Sequence, residues 1–264
     1  MRLSDDQVRT YAQAGVLHLP GLLSRDEAAA LRAEVERCQR LERDEVLRAR
    51  DGQVHAIWAL DGYSEPFRRL LPDPRLLGPA QQLLGPDLYA HQFKIVSKAA
   101  FQGIPFPWHH DYGSWQRNDG MPRPEALNIA IFLDEVTEHS GPLSYIPGSH
   151  RAGDAGGPLP TLSQEESGEP LPVVPQDRLT AVIEEAGILC PKGPPGDAVL
   201  FHACTVHGSP PNMSSRTRHV VYLTYNRTDN ALTAPTRPWY MASREPRRIE
   251  PNPVTPPAQA PGAG

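Results

Sequence analysis

Two histidines and one aspartate in this sequence have the residue types and spacing of a metal site. His109 and Asp111 are separated by one residue, so on an extended segment their side chains would point to the same side. His207 follows a β-rich segment far along the chain and can complete a face of two histidines and one carboxylate. That ligand set leaves several metal positions open, as non-haem Fe(II) oxygenases require. His110 would point the other way and is not expected to be a ligand.

A possible anion-binding pair lies close to His207 in the sequence. Ser209 follows the histidine by two residues, and Arg218 falls on a predicted strand. A guanidinium offers a fork of donors to a carboxylate, and a serine hydroxyl can add another hydrogen bond. An arginine buried beside a metal is costly unless an anion pairs with it. Singly, these residues could be a buried structural histidine or part of a surface salt bridge; together they favour a metal site that also binds a dicarboxylate.

Length and composition describe an ordinary globular chain. The 264 residues suit one sizeable domain, and the net charge of -5 gives no basic footprint for nucleic acid. No apolar run reaches membrane-spanning length, and the N-terminus lacks the apolar segment of a signal peptide. The three cysteines show no CxxC spacing, so a disulfide framework is not expected. A cytoplasmic protein with no membrane or nucleic-acid partner is predicted; the oligomeric state is left open.

The elements that must position these residues change character near Gly85. Before it, Ser4 and Ser24 each begin a capping-box pattern, the second opening a helix over about 25–41, and Asp73 begins a further helix. After it come short β-rich runs separated by turn residues. Helices followed by strands predict an α+β fold or a β-sandwich with helical cover. The predicted strands are Val16 to Leu19, Leu88 to Ser97, Ala126 to Leu133, Leu143 to Ile146, Ala198 to His202 and His219 to Tyr225.

Two stretches rich in proline stand apart from these elements. Residues 152–177 predict a long mobile loop that could cover a substrate. The tail over 250–264 carries five prolines and is expected to be disordered.

Several short blocks resemble one family, in the order in which that family has them. The sequence is similar over about residues 5 to 245 to phytanoyl-CoA dioxygenase-type Fe(II)/2-oxoglutarate-dependent oxygenases. Within that branch it resembles bacterial trans-4-proline hydroxylase, related free amino-acid hydroxylases and ectoine hydroxylase. The blocks are Tyr89 to Ile95, Trp108 to Asp111, Asp119 to Met121, Gly141 to Leu143, Pro147 to His150, His207 to Ser209 and Thr224 to Leu232.

The resemblance implies a fold and a set of domain limits. It implies a mainly β, α+β chain with a double-stranded β-helix core, the jelly roll of cupin-like proteins, under an N-terminal helical cover. A single oxygenase domain is expected over 1–249, helix-rich in 1–86 and with the jelly roll over about 87–232.

The resemblance also implies roles for individual residues. Ligands for Fe(II) would be His109, Asp111 and His207, leaving three positions for 2-oxoglutarate and O2; ascorbate is expected to help in vitro. Related halogenases have Gly or Ala in place of this aspartate, so Asp111 favours hydroxylation. The expected 2-oxoglutarate contacts are Arg218, Ser209, Lys98 and Asn128. The candidates for binding the substrate are Trp115, which could equally be a core aromatic, Gln92, Asn226 and Arg227.

The function implied is hydroxylation of a small molecule. The leading hypothesis is a free L-amino acid, proline or a close cyclic or aliphatic analogue such as pipecolate or leucine. The alternatives are ectoine hydroxylation, or a tailoring step on a secondary-metabolite precursor. A non-catalytic, cupin-like metal-binding protein would not need Ser209 and Arg218, and a zinc hydrolase would need a general base beside the metal, for which no HExxH helix is present.

Overall fold

The structure, a computed structural model, describes residues 1–49, 51–153, 157–166 and 169–251. Within these residues, helices dominate the first part of the chain and strands the rest. The helices are α1 (Asp5–Ala14), α2 (Arg25–Gln39), α3 (Glu65–Arg68), α4 (Pro74–Leu84), α5 (Asp111–Asp119) and α6 (Gln176–Ala186). The strands are β1 (Val16–Leu19), β2 (Val46–Arg48), β3 (Val54–Trp58), β4 (Leu88–Lys98), β5 (Phe106–His109), β6 (Ala126–Phe132), β7 (Ser144–Tyr145), β8 (Leu162–Glu166), β9 (Glu169–Val173), β10 (Ala198–His202), β11 (His207–Ser209) and β12 (Arg218–Arg227).

The strands form a large and a small antiparallel sheet that pack against each other. The large sheet has the order β1-β10-β6-β12-β4-β3-β2, and the small sheet has the order β5-β11-β7. Tyr145 of the small sheet shares a buried cluster with Phe132 and Val220 of the large one. The expected jelly-roll core is therefore confirmed, with β8 and β9 paired as a separate hairpin.

The large sheet is buried on both faces, and side-chain alternation decides what each face carries. In β6, Leu127, Ile129 and Ile131 pack in the cluster that includes the helices, while Ala130 and Phe132 face the small sheet. Every residue of β6 is therefore buried. On β6, β12 and β4, the positions that face the small sheet are the ones that can line a cavity between the sheets.

The N-terminal helices begin where the sequence predicts. Ser4 and Ser24 both form complete capping boxes, with Gln7 and Glu27 as the reciprocal partners. Asp73 caps α4 by accepting a hydrogen bond from the Arg75 backbone N–H. These helices cover the outer face of the large sheet, as expected.

Two regions differ from the sequence expectations. The helix-rich first part also supplies β2 and β3, which were not predicted and which extend the large sheet beyond β4. The expected long loop over 152–177 instead contains the β8–β9 hairpin and the start of α6. Proline suggested a loop, but paired edge strands tolerate it because one side of each has no partner strand. The tail prediction for 250–264 falls almost entirely outside the described residues.

None of the helices in the described parts of the chain is long and apolar enough to cross a bilayer.

Candidate active site

Three side chains converge at one end of the space between the sheets. His109, Asp111 and His207 each offer one ligand atom, and these atoms all lie within 4.8 Å of one another. Asp111 Oδ1 lies 4.0 Å from His109 Nε2, and its Oδ2 lies 3.9 Å from His207 Nε2. The two imidazole ring centres are 4.3 Å apart. These side chains therefore form a compact face that could hold one metal ion, with the three ligand types that non-haem iron takes.

Cross-strand pairing brings the two histidines together. His207 on β11 is the direct partner of His109 on β5, and side chains of paired residues lie on the same face of a sheet. Asp111 is positioned by a different element. Because β5 ends at His109, Asp111 is the first residue of α5, so the expectation that both lie on one extended strand is wrong. The turn into the helix, and not strand alternation, aims the carboxylate at the histidines.

Backbone carbonyls fix the ring orientation of both histidines. His109 Nδ1 lies 2.7 Å from the Pro107 carbonyl oxygen, and His207 Nδ1 lies 2.9 Å from that of Thr205. A carbonyl only accepts, so each Nδ1 carries the proton and donates it. Each Nε2 is therefore left as a lone-pair donor facing Asp111, an arrangement that is typical of metal-bound histidine.

Burial and neighbouring charges place the three groups in the protonation states that metal ligands need. Burial, followed by the proximity of His207, lowers the pKa of His109 to about 4, and burial also lowers the pKa of His207. Burial alone would raise the pKa of Asp111, but His207, Lys94 and His109 together lower it below its ordinary value. Near neutral pH the site thus offers neutral imidazoles and an ionised carboxylate.

His110 has a local structural role. It is the N-cap of α5: its Nδ1 accepts a hydrogen bond from the Gly113 N–H, and its Nε2 lies 2.9 Å from the Leu159 carbonyl oxygen. Both ring nitrogens are engaged, so neither is free for a metal.

Replacing His110 with alanine is expected to leave metal binding intact and to lower stability. Loss of the cap should cost about 0.5–2 kcal/mol of unfolding free energy. Urea unfolding, together with the iron content of the purified protein, measures both effects. Loss of stoichiometric iron in this variant would contradict the assignment of His110 as a cap.

Asn128 supports the carboxylate from the large sheet. It faces the cavity from β6, and its Nδ2 donates to Asp111 Oδ2 at 2.8 Å. Its Oδ1 accepts from the Thr224 hydroxyl at 2.6 Å, which fixes the amide orientation. The sequence suggested a contact with 2-oxoglutarate; the structure shows an amide that orients Asp111.

Replacing Asn128 with alanine is therefore expected to weaken metal binding rather than abolish it. Losing such a supporting hydrogen bond typically costs about 10- to 100-fold in metal affinity or activity. A metal titration of the metal-free variant measures the change. Thr224→Val, which removes only the hydroxyl that orients the amide, should give a smaller loss in the same direction. Wild-type affinity in the Asn128 variant would contradict the proposed support.

The other end of the same cavity is positively charged. Arg218 is 1% exposed and donates hydrogen bonds to the Ser140 and Gly141 carbonyl oxygens. The second of these carbonyl groups depends on a glycine. Gly141 has a left-handed backbone (φ 66°), and a Cβ there would come within 2.8 Å of the Pro210 carbonyl oxygen, so a larger residue would disturb this partner of Arg218. No carboxylate among the described side chains pairs with Arg218. A buried guanidinium with no acidic partner among the described side chains is suited to an incoming anion.

Lys98 and Ser209 lie beside this arginine and line the cavity with it. Lys98 is the register partner of Arg218, and its ammonium group donates to the Ser209 and Pro210 carbonyl oxygens. Burial, and then the charge of Arg218, lowers the pKa of Lys98 to about 7. All the cosubstrate contacts expected from the sequence, Asn128 included, therefore line one cavity with the metal face.

Two cavity residues were missed in the sequence. Tyr222 hydrogen-bonds with Arg218, and Lys94 lies across the strand pair from Tyr222. Lys94 and Lys98 are four residues apart on β4, and both line the cavity. The sequence has only three lysines: Lys94, Lys98 and Lys192. Two of them lie four residues apart at the end of one predicted strand, and that spacing could have indicated a positively charged cavity wall.

The structure does not bring the four substrate candidates into this cavity. Trp115 is buried against His91, with ring centres 4.9 Å apart. Asn226 donates to the Tyr89 hydroxyl and to a carbonyl oxygen, and Arg227 pairs with Asp229. Gln92 lines a second cavity.

This second space, the outer cavity, has a volume of about 780 Å³ and is lined by Ala90, Gln92 and side chains from 239–249. The space between the sheets, lined by the metal face, Lys94, Lys98 and Arg218, is called the inner cavity.

Known proteins share this fold and much of this sequence. Residues 11–220 match the phytanoyl-CoA dioxygenase family. The chain is 38% identical to L-proline trans-4-hydroxylase of Streptomyces griseoviridis, covering 94% of this chain and 96% of that protein. It is 37% identical to ectoine dioxygenase of Bordetella parapertussis, covering 92% and 83%. The crystal structure of EctD from S. alaskensis with 2-oxoglutarate and 5-hydroxyectoine has a TM-score of 0.82 at 30% identity, covering 96% and 89%.

The jelly roll, the inner cavity and these similarities define an iron- and 2-oxoglutarate-dependent dioxygenase, which also uses O2. Its relatives act on small molecules. The chain belongs to the phytanoyl-CoA dioxygenase family.

Proposed function

We propose that this enzyme hydroxylates a free L-amino acid, with L-proline or a close analogue such as L-pipecolate or L-leucine as substrate. The observation that carries the proposal is the inner cavity, which joins a three-ligand metal face to a buried arginine without an acidic partner. The similarity to L-proline trans-4-hydroxylase extends over nearly the whole chain and supports the choice of substrate.

In this proposal the residues of the inner cavity have separate roles. His109, Asp111 and His207 bind Fe(II) through Nε2, a carboxylate oxygen and Nε2, and Asn128 orients the carboxylate. Arg218, Ser209 and Lys98 bind the distal carboxylate of 2-oxoglutarate, with Tyr222 supporting the arginine. The bound iron, with 2-oxoglutarate and O2, supplies the oxidant for a C–H bond. The protein holds the target carbon near the metal and excludes water.

The three ligand atoms of the metal face and the buried arginine fit Fe(II) with bound 2-oxoglutarate. The two Nε2 atoms and the Asp111 carboxylate would hold a metal ion with three ligands, a set that leaves coordination positions open to a cosubstrate. Arg218 lies farther along the large sheet, on the same side of β12 as Thr224, whose hydroxyl bonds Asn128. A dicarboxylate with one end on the metal can therefore place its other end on a guanidinium that is otherwise buried without a counter-charge.

Ectoine is the second candidate substrate. The similarity to ectoine dioxygenases and the fit to the EctD fold favour it, because both extend over more than nine-tenths of this chain. A tailoring reaction on a secondary metabolite would use the same metal face with a different substrate pocket. A purely metal-binding protein is less well supported, because it would have no use for Arg218. A cytoplasmic location and the absence of nucleic-acid and membrane partners remain predictions.

A substrate panel tests the proposal. Anaerobically purified protein is supplied with Fe(II), 2-oxoglutarate and ascorbate in air, together with L-proline, L-pipecolate, L-leucine or ectoine. The expected result is succinate release that depends on L-proline or a close analogue, with gain of one oxygen atom by that compound. Reactions without iron, or with Zn(II) in its place, are the controls. Succinate release coupled only to ectoine would select the second candidate, and no succinate with any compound would refute both.

A further inference from the structure

One cation in the inner cavity has no role in the proposed binding of iron and 2-oxoglutarate. Lys94 lies on β4 and lines this cavity, partly exposed to it. Its ammonium group lies 4.7 Å from the ring centre of Trp58 and 5.7 Å from that of Tyr222. The structure gives Lys94 no carboxylate partner and no hydrogen-bond acceptor among the described residues. Two aromatic faces thus hold the ammonium group in place without neutralising it.

Lys98, four residues farther along β4, differs from Lys94 because its ammonium group has hydrogen-bond acceptors. The Lys98 ammonium group donates to two backbone carbonyl oxygens and lies at the arginine end of the cavity. Lys94 is the register partner of Tyr222, whereas Lys98 is the partner of Arg218. With about 3.4 Å of rise per residue, the two lysine Cα atoms are about 14 Å apart along the strand. The two lysines therefore serve different parts of the cavity.

The course of β4 places Lys94 where the two cavities approach each other. Gln92, Lys94 and Lys98 occupy alternate positions on one face of the strand. Lys98 and Lys94 line the inner cavity, and Gln92, the next position on that face, lines the outer one. The outer cavity, at about 780 Å³, falls in the size range of small-molecule sites. Along β4, Lys94 therefore lies between Gln92 of the outer cavity and Lys98 at the arginine end of the inner cavity.

The opposite charge that acts on Lys94 is that of Asp111, and a bound metal ion would share it. A divalent iron bound by two neutral imidazoles and Asp111 keeps one positive charge, and 2-oxoglutarate brings two negative charges. Adding Arg218 brings the sum to zero. Lys98, whose pKa burial lowers to about 7, and Lys94 then both add positive charge in a partly buried place. Uncompensated charge in such surroundings is costly, so the arrangement calls for one more anionic group.

We propose that Lys94, held between Trp58 and Tyr222, binds the carboxylate of the substrate. This inference rests on the proposed function and narrows it. The substrate is a small molecule with a free carboxylate, so its amide or ester is a poor ligand. Lys94 is then a specificity-determining residue, and the ion pair sets the orientation of the substrate in the inner cavity.

Binding measurements on the iron-loaded, anaerobic enzyme test this role without turnover. L-proline and L-prolinamide are titrated calorimetrically into protein that holds Fe(II) and 2-oxoglutarate, and 2-oxoglutarate is titrated separately into protein that holds Fe(II). Lys94→Met keeps an unbranched stem against the two rings but removes the charge. We expect it to weaken L-proline binding about 10- to 100-fold, the range of a hydrogen bond to a charged group. Affinity for 2-oxoglutarate should stay within about threefold, well below that range.

Three comparisons make the test specific. The wild-type enzyme should prefer L-proline to L-prolinamide, Lys94→Met should lose that preference, and Lys94→Arg should recover most of it. Lys192→Met removes the exposed lysine that pairs with Glu138 and lines neither cavity, and should change nothing. Kinetics should show a raised KM for L-proline in Lys94→Met with a smaller change in kcat.

Contrary results are distinguishable. Weaker 2-oxoglutarate binding in Lys94→Met, with L-proline binding unchanged, would overturn the inference and assign the lysine to the cosubstrate. Unchanged binding of both would also overturn it. If the wild-type enzyme neither binds nor hydroxylates any amino acid of the panel, the proposed function fails and the inference fails with it.

Discussion

Replacing Asp111 with alanine is expected to abolish substrate-dependent succinate release and to weaken iron binding by more than about 100-fold, since even supporting residues cost 10- to 100-fold when removed. Asp111 supplies the negative ligand of the metal face, with its two oxygens 4.0 and 3.9 Å from the histidine Nε2 atoms. Without it, two neutral imidazoles remain, and the Asn128 amide loses its acceptor. Iron content after anaerobic loading and desalting, together with succinate release, measures the effect.

The neighbouring residue provides the control for Asp111. His110→Ala alters the same turn and removes the cap of α5 but should retain iron. Asp111 lies in the first turn of α5, where loss of its charge should cost only about 0.3–1 kcal/mol of stability. Both variants should therefore remain folded by thermal unfolding. An Asp111→Ala protein with wild-type iron affinity and turnover would refute the metal assignment.

Replacing Arg218 with methionine is expected to weaken 2-oxoglutarate binding by about 30-fold to a few thousand-fold, the equivalent of the 2–5 kcal/mol lost when one partner of a buried charge pair is removed. Arg218 is 1% exposed and has only carbonyl and hydroxyl partners in the structure. Direct titration of 2-oxoglutarate into the anaerobic, iron-loaded protein measures the loss. Iron content should not change, because no ligand atom is altered.

An analogue without the distal carboxylate makes the Arg218 test sharper. The wild-type enzyme should bind 2-oxopentanoate far more weakly than 2-oxoglutarate, whereas Arg218→Met should bind the two about equally. Arg48→Met is a matched control, because Arg48 also donates to two backbone carbonyl oxygens but lies outside the inner cavity. A strong preference for 2-oxoglutarate that survives in Arg218→Met would place the distal carboxylate elsewhere.

Local features of the fold could be predicted from the sequence because short-range interactions set them. Ser4 and Ser24 cap the helices that their spacing predicts, since a capping box involves residues only three positions apart. The strands of the core, such as Ala198 to His202, were also recognised from their own residues. By contrast, β2 and β3 are short strands that exist through pairing with β4, and nothing in their own sequence identified that partner.

The candidate site also divides into what the local sequence indicates and what distant partners decide. The residue types of the metal face and of the anion end could be read from the chain, and the structure brings all seven predicted metal and cosubstrate residues into one cavity. The four substrate candidates lie outside that cavity. Asn226 and Arg227 are polar and close to Arg218 in sequence, but their partners in the structure are Tyr89 and Asp229. A polar residue without its partners in view can be assigned to either role.

The sequence by itself indicated which side chains could bind iron and a dicarboxylate, and its family resemblance implied that Asp111 favours hydroxylation. Only the tertiary structure decided how they meet. The register of β5 with β11 places His207 opposite His109, the start of α5 turns Asp111 toward both, and the same turn engages His110 as a cap. It also placed Lys94 between Trp58 and Tyr222, from strands far apart in the chain. Residue chemistry is carried by each position alone, whereas distance, burial and the absence of a counter-charge depend on partners that only folding supplies.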